Sequence, residues 1–250
     1  MPGDDGRRTN EKRTREHAYP RWLRHTIKAH HDTLPSTWGE EWNDPRSIIL
    51  EPVCTPCQTT LNMLFENPGR NLVKDILAGK SVSPLDQATL VQVASWIAKT
   101  SLVIALSPEP NKPHIDPHVV EQLRVYLHRM LATGVPPTNS RVRIAGVHYR
   151  DNFAPEKSRF TADWMVTDPR PFTYVGVVPN LVWEFTVADG RTIAWEDAGR
   201  YLTGIWPATP DEIAWPPDAL SPWEIRGLRF AHRHDWIGGG FPRVFGAALQ

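Results

Sequence analysis

The chain has 250 residues, 40% of them hydrophobic, which suits one large globular domain or two small ones. Its 28 Lys and Arg balance its 28 Asp and Glu, excluding a uniformly basic nucleic-acid coat or an acidic disordered tail but not local patches. No apolar run near the ~18 residues of a bilayer span is expected, and Met1–Arg8 has no apolar signal segment, so the reading is no membrane and a cytoplasmic location.

Residues 1–15 are polar and charged and read as an arm. From Glu16 to Cys57 short irregular elements are expected, broken by Pro20, Pro35, Pro45, Pro52 and Pro56. Residues 1–32 hold eight basic side chains (Arg7, Arg8, Lys12, Arg13, Arg15, Arg21, Arg24, Lys28) and five acidic ones (Asp4, Asp5, Glu11, Glu16, Asp32). Eight minus five gives +3, so this is the electropositive end.

Helical spacing begins after Cys57, at Leu61, Leu64, Phe65, Leu72, Ile76 and Leu77, with a break near Pro68-Gly69. The strongest predicted helix covers 84–106, opening at Ser83-Pro84-Leu85-Asp86. Leu90, Val93, Ala94, Ile97, Ala98, Ser101, Leu102 and Ala105 form its wide buried face. A second helix is predicted over about 117–132, ending at Gly134-Val135-Pro136-Pro137. Beyond Asn139 the period becomes two, and strands are predicted over 141–149, 159–166, 172–178 and 181–187. Asp189-Gly190 suits a tight turn, so 181–187 and 191–195 read as a hairpin. The proline-rich stretch 205–223 reads as mostly irregular. No internal repeat is seen, and the expected class is α+β: a small N-terminal module over 16–80, then a helical pair and an antiparallel sheet over 81–250.

Two stretches carry chemistry. In Thr14-Arg15-Glu16-His17-Ala18-Tyr19-Pro20-Arg21-Trp22-Leu23, adjacent Glu and His offer an anionic oxygen suited to a divalent cation and an imidazole able to deprotonate water. The plainer alternative is a capping Glu beside a surface His. In Val53-Cys54-Thr55-Pro56-Cys57-Gln58, a CxxC turn runs into a helix, as in half of a treble-clef zinc site. Its alternative is a pair of buried small cysteines, and a closed zinc site needs four ligands.

Together these stretches resemble a bacterial family of HNH-endonuclease-like proteins, whose members carry an early CxxC, a "T-R-E-H-V-x-P-x-W-L" segment and "V-C-x-x-C-N" opening a helix that holds a Glu. Thr14–Leu23 matches the second element with Ala18 for Val, Val53–Glu66 matches the third in spacing, and the "P-x-D-Q-A-T-L" opening of 84–106 is similar to the family's middle. The resemblance implies metal-dependent phosphodiester hydrolysis on a ββα-metal finger. His17 would be the general base, Glu16 a ligand of Mg²⁺ or Mn²⁺, and Glu66 a helix residue facing that metal. Cys54 and Cys57 would hold half of a structural zinc. Arg13, Arg15, Arg21, Arg24 and Lys28 would contact the phosphates of DNA or RNA. The chain departs from the pattern in two places: no cysteine precedes Glu16, and Gln58 stands where the family has Asn. These departures keep open a second reading, a non-catalytic nucleic-acid- or protein-binding protein on a decayed scaffold.

Other motifs have plainer explanations. Ala78-Gly79-Lys80-Ser81 imitates the end of a phosphate-binding loop but lacks the earlier glycine, which is Lys74, and reads as a helix end. His232-Arg233-His234-Asp235 with Gly238-Gly239-Gly240 reads as a solvated turn, and the tryptophans as packing residues. Residues 171–220 hold two basic and seven acidic side chains, a net −5, so phosphate contacts are expected at the other end of the chain.

Overall fold

The computed structural model describes residues 13–17, 20, 22–23, 49–80, 82–107, 117–147, 162–166, 172–178, 180–187, 202–207, 209–216 and 219–220. The fold is α+β, and one hydrophobic core runs from Leu23 through the helices to Phe185 and Ile205 in the sheet.

Strand β1 (Arg13–His17) pairs antiparallel with β2 (Ile49–Cys54), setting Arg13 opposite Cys54 and His17 opposite Ile49. A bulge between Thr14 and Glu16 shifts the register. The chain leaves β2 directly into helix α1 (Thr55–Leu61), with Pro56 in the first turn, where a missing N–H leaves no bond unmade. A π-helical turn, Asn62–Glu66, follows, and the Asn67 N–H donates to the Asn62 carbonyl five residues back. This widened turn sends Phe65 and Glu66 inward and leaves Met63 and Leu64 exposed. Helix α2 (Arg70–Leu77) ends at Gly79, whose φ of 67° is the left-handed conformation that closes a helix without a Cβ clash.

Helix α3 (Gln87–Leu106) is the centre of the molecule. Asp86 caps it by accepting from the Thr89 N–H at 2.8 Å. The β1–β2 module, helix α4 (Pro117–Thr133) and the main sheet all pack on α3, and its buried residues run almost without interruption from Val93 to Ala105. That surrounding explains why the helix is apolar on every side. It also corrects the expectation that no segment matches a bilayer span: by length and composition alone, the 20 residues of α3 do, but protein covers most of them.

The main sheet is built from β4 (Ser140–Val147), β5 (Ala162–Val166), β6 (Phe172–Val178), β7 (Leu181–Val187), β8 (Thr203–Trp206) and β10 (Ala219–Leu220). Its order is β10-β4-β7-β6-β5, with β8 sharing the β10 edge of β4, and only the β10–β4 pair is parallel. The short β9 (Glu212–Ile213) pairs with β3 (Leu85–Asp86) just before α3, so 205–223 carries more strand than its prolines suggest. The described hairpin is also not the one anticipated. Strand β7 returns from β6, with Val178 opposite Leu181 and Asn180 in the turn at φ 63°, whereas 191–195 lies outside the described residues. Asparagine tolerates this conformation, and its Nδ2 donates to the Leu77 carbonyl at the end of α2, at 2.9 Å.

Packing between α3 and the sheet centres on Trp183. Its ring meets Trp96 of α3 edge-on at 5.8 Å, and its Nε1 donates to Ser101 Oγ at 3.3 Å. Directly opposite on β6 is Gly176, where an added Cβ would stand 2.2 Å from Trp183 Cζ2. The glycine is the space the indole occupies.

Candidate functional site

Three elements distant in sequence meet at one buried point. The end of β1 brings Glu16, the π-helical turn brings Glu66, and the middle of α3 brings Lys99. Lys99 is fully buried, Glu16 is 3% exposed and Glu66 7%. The Lys99 ammonium stands 2.7 Å from Glu16 Oε1 and 2.6 Å from Glu66 Oε1. Its third direction is toward the His17 carbonyl, at 3.5 Å.

Charge arithmetic sets the electrostatics. Two carboxylates and one ammonium leave a net −1 in a buried site, an arrangement that favours an extra proton. Burial raises the Glu66 pKa above its ordinary 4.5; Lys99 opposes this and the Glu16 charge adds to it. Burial pulls the Lys99 pKa down, but the two carboxylates overcome it and leave it above the ordinary 10.5, so the ammonium keeps its proton.

The structure thus brings together Glu16 and Glu66, two residues singled out from the sequence, along with the strand that carries His17. Consecutive residues of a strand leave opposite faces, and accordingly Glu16 is buried while His17 is half-buried. Cys54 and Cys57 lie where β2 becomes α1, with Cα atoms 5.2 Å apart, and are joined to each other as a disulfide. Cys54 Sγ also accepts from the Cys57 N–H at 3.1 Å. In this form neither sulfur is a thiolate, the form that binds zinc. Arg13 and Arg15 lie on β1, while Arg21, Arg24 and Lys28 are outside the described residues, as is 232–240. The Ala78-Gly79-Lys80 segment is a helix end, with Lys80 paired to Asp75 at 2.7 Å.

The divalent cation implied by the family resemblance can be tested against these residues. A Mg²⁺ or Mn²⁺ site keeps several water ligands and needs open space beside its carboxylates. Here the facing oxygens of Glu16 and Glu66 are already committed to a buried ammonium. The arrangement does not fit the ion. Among the described residues, no group of three or more His, Cys, Asp or Glu side chains is arranged to hold a metal.

Lys99 escaped the periodicity reading because a charged residue is ordinarily assigned to the outer face of a helix. A signal was nonetheless present: Lys99 is the only charged residue between Asp86 and Glu109. A lone charge in so apolar a stretch needs buried partners. The sheet holds a second buried pair that the sequence reading missed. Arg143 on β4 and Glu184 on β7 are directly opposite in register, 3.7 Å apart, and burial lowers the Arg143 pKa despite the carboxylate. No family model, curated protein or solved structure matches this chain.

Proposed function

We propose that the chain is a non-catalytic nucleic-acid-binding protein built on an HNH-like ββα scaffold, in which the two carboxylates serve the fold instead of a metal. One observation carries the reading: Glu16 and Glu66 are both buried against the Lys99 ammonium. A hydrolytic metal centre must admit a phosphodiester and a water, and burial of both carboxylates against the ammonium supports the binding-only reading. Nucleic acid is the favoured partner because residues 1–32 carry a net +3, while residues 171–220 carry −5.

The test pairs binding with turnover. Fluorescence anisotropy with labelled DNA and RNA should show affinity that falls steeply with salt, with log K falling by about 0.9 per phosphate contact for each unit of log salt. Charge reversal of Arg21 and Arg24 should weaken binding and reduce that slope by roughly two contacts' worth. Plasmid incubated with Mg²⁺ or Mn²⁺ should remain uncut.

The second reading is a metal-dependent nuclease that hydrolyses phosphodiesters with His17 as base. It is favoured by the order β1, β2, α1, with His17 half-buried at the end of β1. Metal-stimulated cleavage that disappears in His17→Ala, with an unchanged melting temperature, would establish it and displace the binding-only reading.

A further inference from the structure

We propose that Cys54 and Cys57 form a thiol–disulfide exchange site, a bridge that opens and recloses against small external thiols and disulfides while the fold stays intact. Cys54 is the attacking sulfur and Cys57 the resolving one. The site stands apart from the nucleic-acid reading, since it uses neither the basic residues nor the buried triad.

These two are the only cysteines of the chain, so neither has another partner within it. Strand β2 ends at Cys54, α1 begins at Thr55, and the Cα atoms of the cysteines stand 5.2 Å apart. Residues three apart on an ideal helix are separated by about 5 Å, inside the range a disulfide bridges. The backbone therefore holds the sulfurs within reach of each other whether or not they are bonded. That backbone is fixed by groups other than sulfur. Val53 and Leu61 are buried on either side, and the Thr59 and Thr60 hydroxyls donate to the Thr55 and Pro56 carbonyls, each at 3.0 Å. A bridge closing so short a loop constrains the unfolded chain little and is a weak staple. Both cysteines are only half-buried and the intervening Thr55 and Pro56 are exposed, which gives an external thiol a way in. The two sulfurs are not equivalent. Cys54 occupies the N-cap and its Sγ accepts from the Cys57 N–H at 3.1 Å, so a donor already faces the charge of a Cys54 thiolate. In the oxidising direction the Cys54 thiolate attacks one sulfur of an external disulfide and expels a thiolate. Cys57 then gives its proton to solvent and attacks Cys54 Sγ of the mixed disulfide, expelling the second thiolate. One external disulfide becomes two thiols as two thiols of the chain become a disulfide, and reduction retraces the same steps.

The experiment equilibrates the full-length protein in glutathione and dithiothreitol buffers of graded thiol-to-disulfide ratio, quenches with acid, alkylates, and reads the oxidised fraction by mass. One reversible two-electron transition is expected, the same from either direction. The Tm of the reduced chain should lie within about 8 °C of the oxidised one, the limit for a four-residue loop in a chain of this size. With oxidised glutathione, Cys57→Ser should trap Cys54 as a mixed disulfide, and Cys54→Ser should form its own at least tenfold more slowly. A bridge that excess dithiothreitol opens only in urea is a structural staple and overturns the proposal, as does a larger fall in Tm on reduction. Equal trapping in the two serine variants overturns the assignment of attacking and resolving sulfurs. A reduced chain that holds zinc, and recloses with oxidised glutathione only after a chelator is added, overturns the proposal in favour of a metal site.

Discussion

Removing the Lys99 ammonium should be among the most damaging single changes to this fold. In Lys99→Met the side-chain volume is nearly kept, so the loss isolates charge. The substitution leaves Glu16 and Glu66 facing each other, 3% and 7% exposed, with no cation between them. Removing one partner of a buried ion pair costs about 3–5 kcal/mol, against a total stability of roughly 5–15 kcal/mol. For a chain of this size each kcal/mol corresponds to about 2–4 °C, so Tm should fall by about 6–20 °C. Urea unfolding at pH 8 in EDTA, followed by tryptophan fluorescence and circular dichroism, measures the free energy directly. The deficit should shrink as pH falls, because protonation of Glu66, which burial favours, relieves the repulsion. The triple change Glu16→Leu/Lys99→Met/Glu66→Leu removes every charge without leaving a buried amide and should recover most of the loss, since apolar replacements of buried ionic triads are often tolerated. A single variant within about 1 kcal/mol of wild type at pH 8, or a triple variant no better than the single, would refute the account of the triad as a charge-compensated unit.

Further predictions concern the same site and the sheet. Glu66 binds its proton more tightly in the folded than in the unfolded chain. Its contribution is therefore fully present below pH 4.5 and is lost as pH rises through the folded value; Glu66→Gln should flatten the fall in stability above pH 4.5, read by urea titrations across pH. Lys99 likewise holds its proton more tightly when folded, so wild-type stability should fall again above about pH 10.5. Gly176→Ala drives a methyl into Trp183 and should cost about 1–3 kcal/mol by the same measurement, with a blunted response if Trp183 is also changed to Phe. Asn180→Ala loses both a left-handed-tolerant residue and the bond to the Leu77 carbonyl, whereas Asn180→Gly loses only the bond; Tm should fall further for alanine.

Much of the architecture was legible because long segments carry their signal over many residues, as a period in 117–133 and as a long apolar run in 87–106. Helices over 87–106 and 117–133 and strands over 172–178 and 181–187 fall within a few residues of their expected places, for they are long and strongly patterned. The short strands β8, β9 and β10 were not legible, since two to four residues carry no period and their prolines pointed elsewhere. Asp189-Gly190 drew the hairpin to the wrong side of β7 because turn chemistry was read without the pairing. Asn180, also able to take positive φ, makes the turn that the register uses. At the candidate site, Glu16 and Glu66 were legible as residue types in a pattern. Their actual partner was not, because a lysine inside an apolar helix is legible only as an anomaly, and periodicity measures the average of a face.

The two buried charged groups answer a problem that hydrophobic burial leaves open. A helix as uniformly apolar as α3 could pack against the sheet in several rotations, since burial is non-directional. Turning α3 by one residue, about 100°, would carry the Lys99 ammonium away from Glu16 and Glu66 and leave three buried charges unpaired. Only one rotation satisfies them. Strand β7 poses the same problem, being buried along its whole length, so alternation of polarity alone does not fix its pairing. Arg143 opposite Glu184 supplies the missing constraint, because slipping β7 by one residue would carry Glu184 to the face opposite Arg143 and separate the pair. Buried ion pairs contribute little net stability against well-packed apolar replacements, but each removes competing registers. In this molecule one such group joins α3 to β1 and the π-helical turn, and the other joins β4 to β7. The neutral triple variant should accordingly recover stability while broadening its amide resonances at β1 and α3, and sharp, native-like resonances there would show that packing alone selects the register.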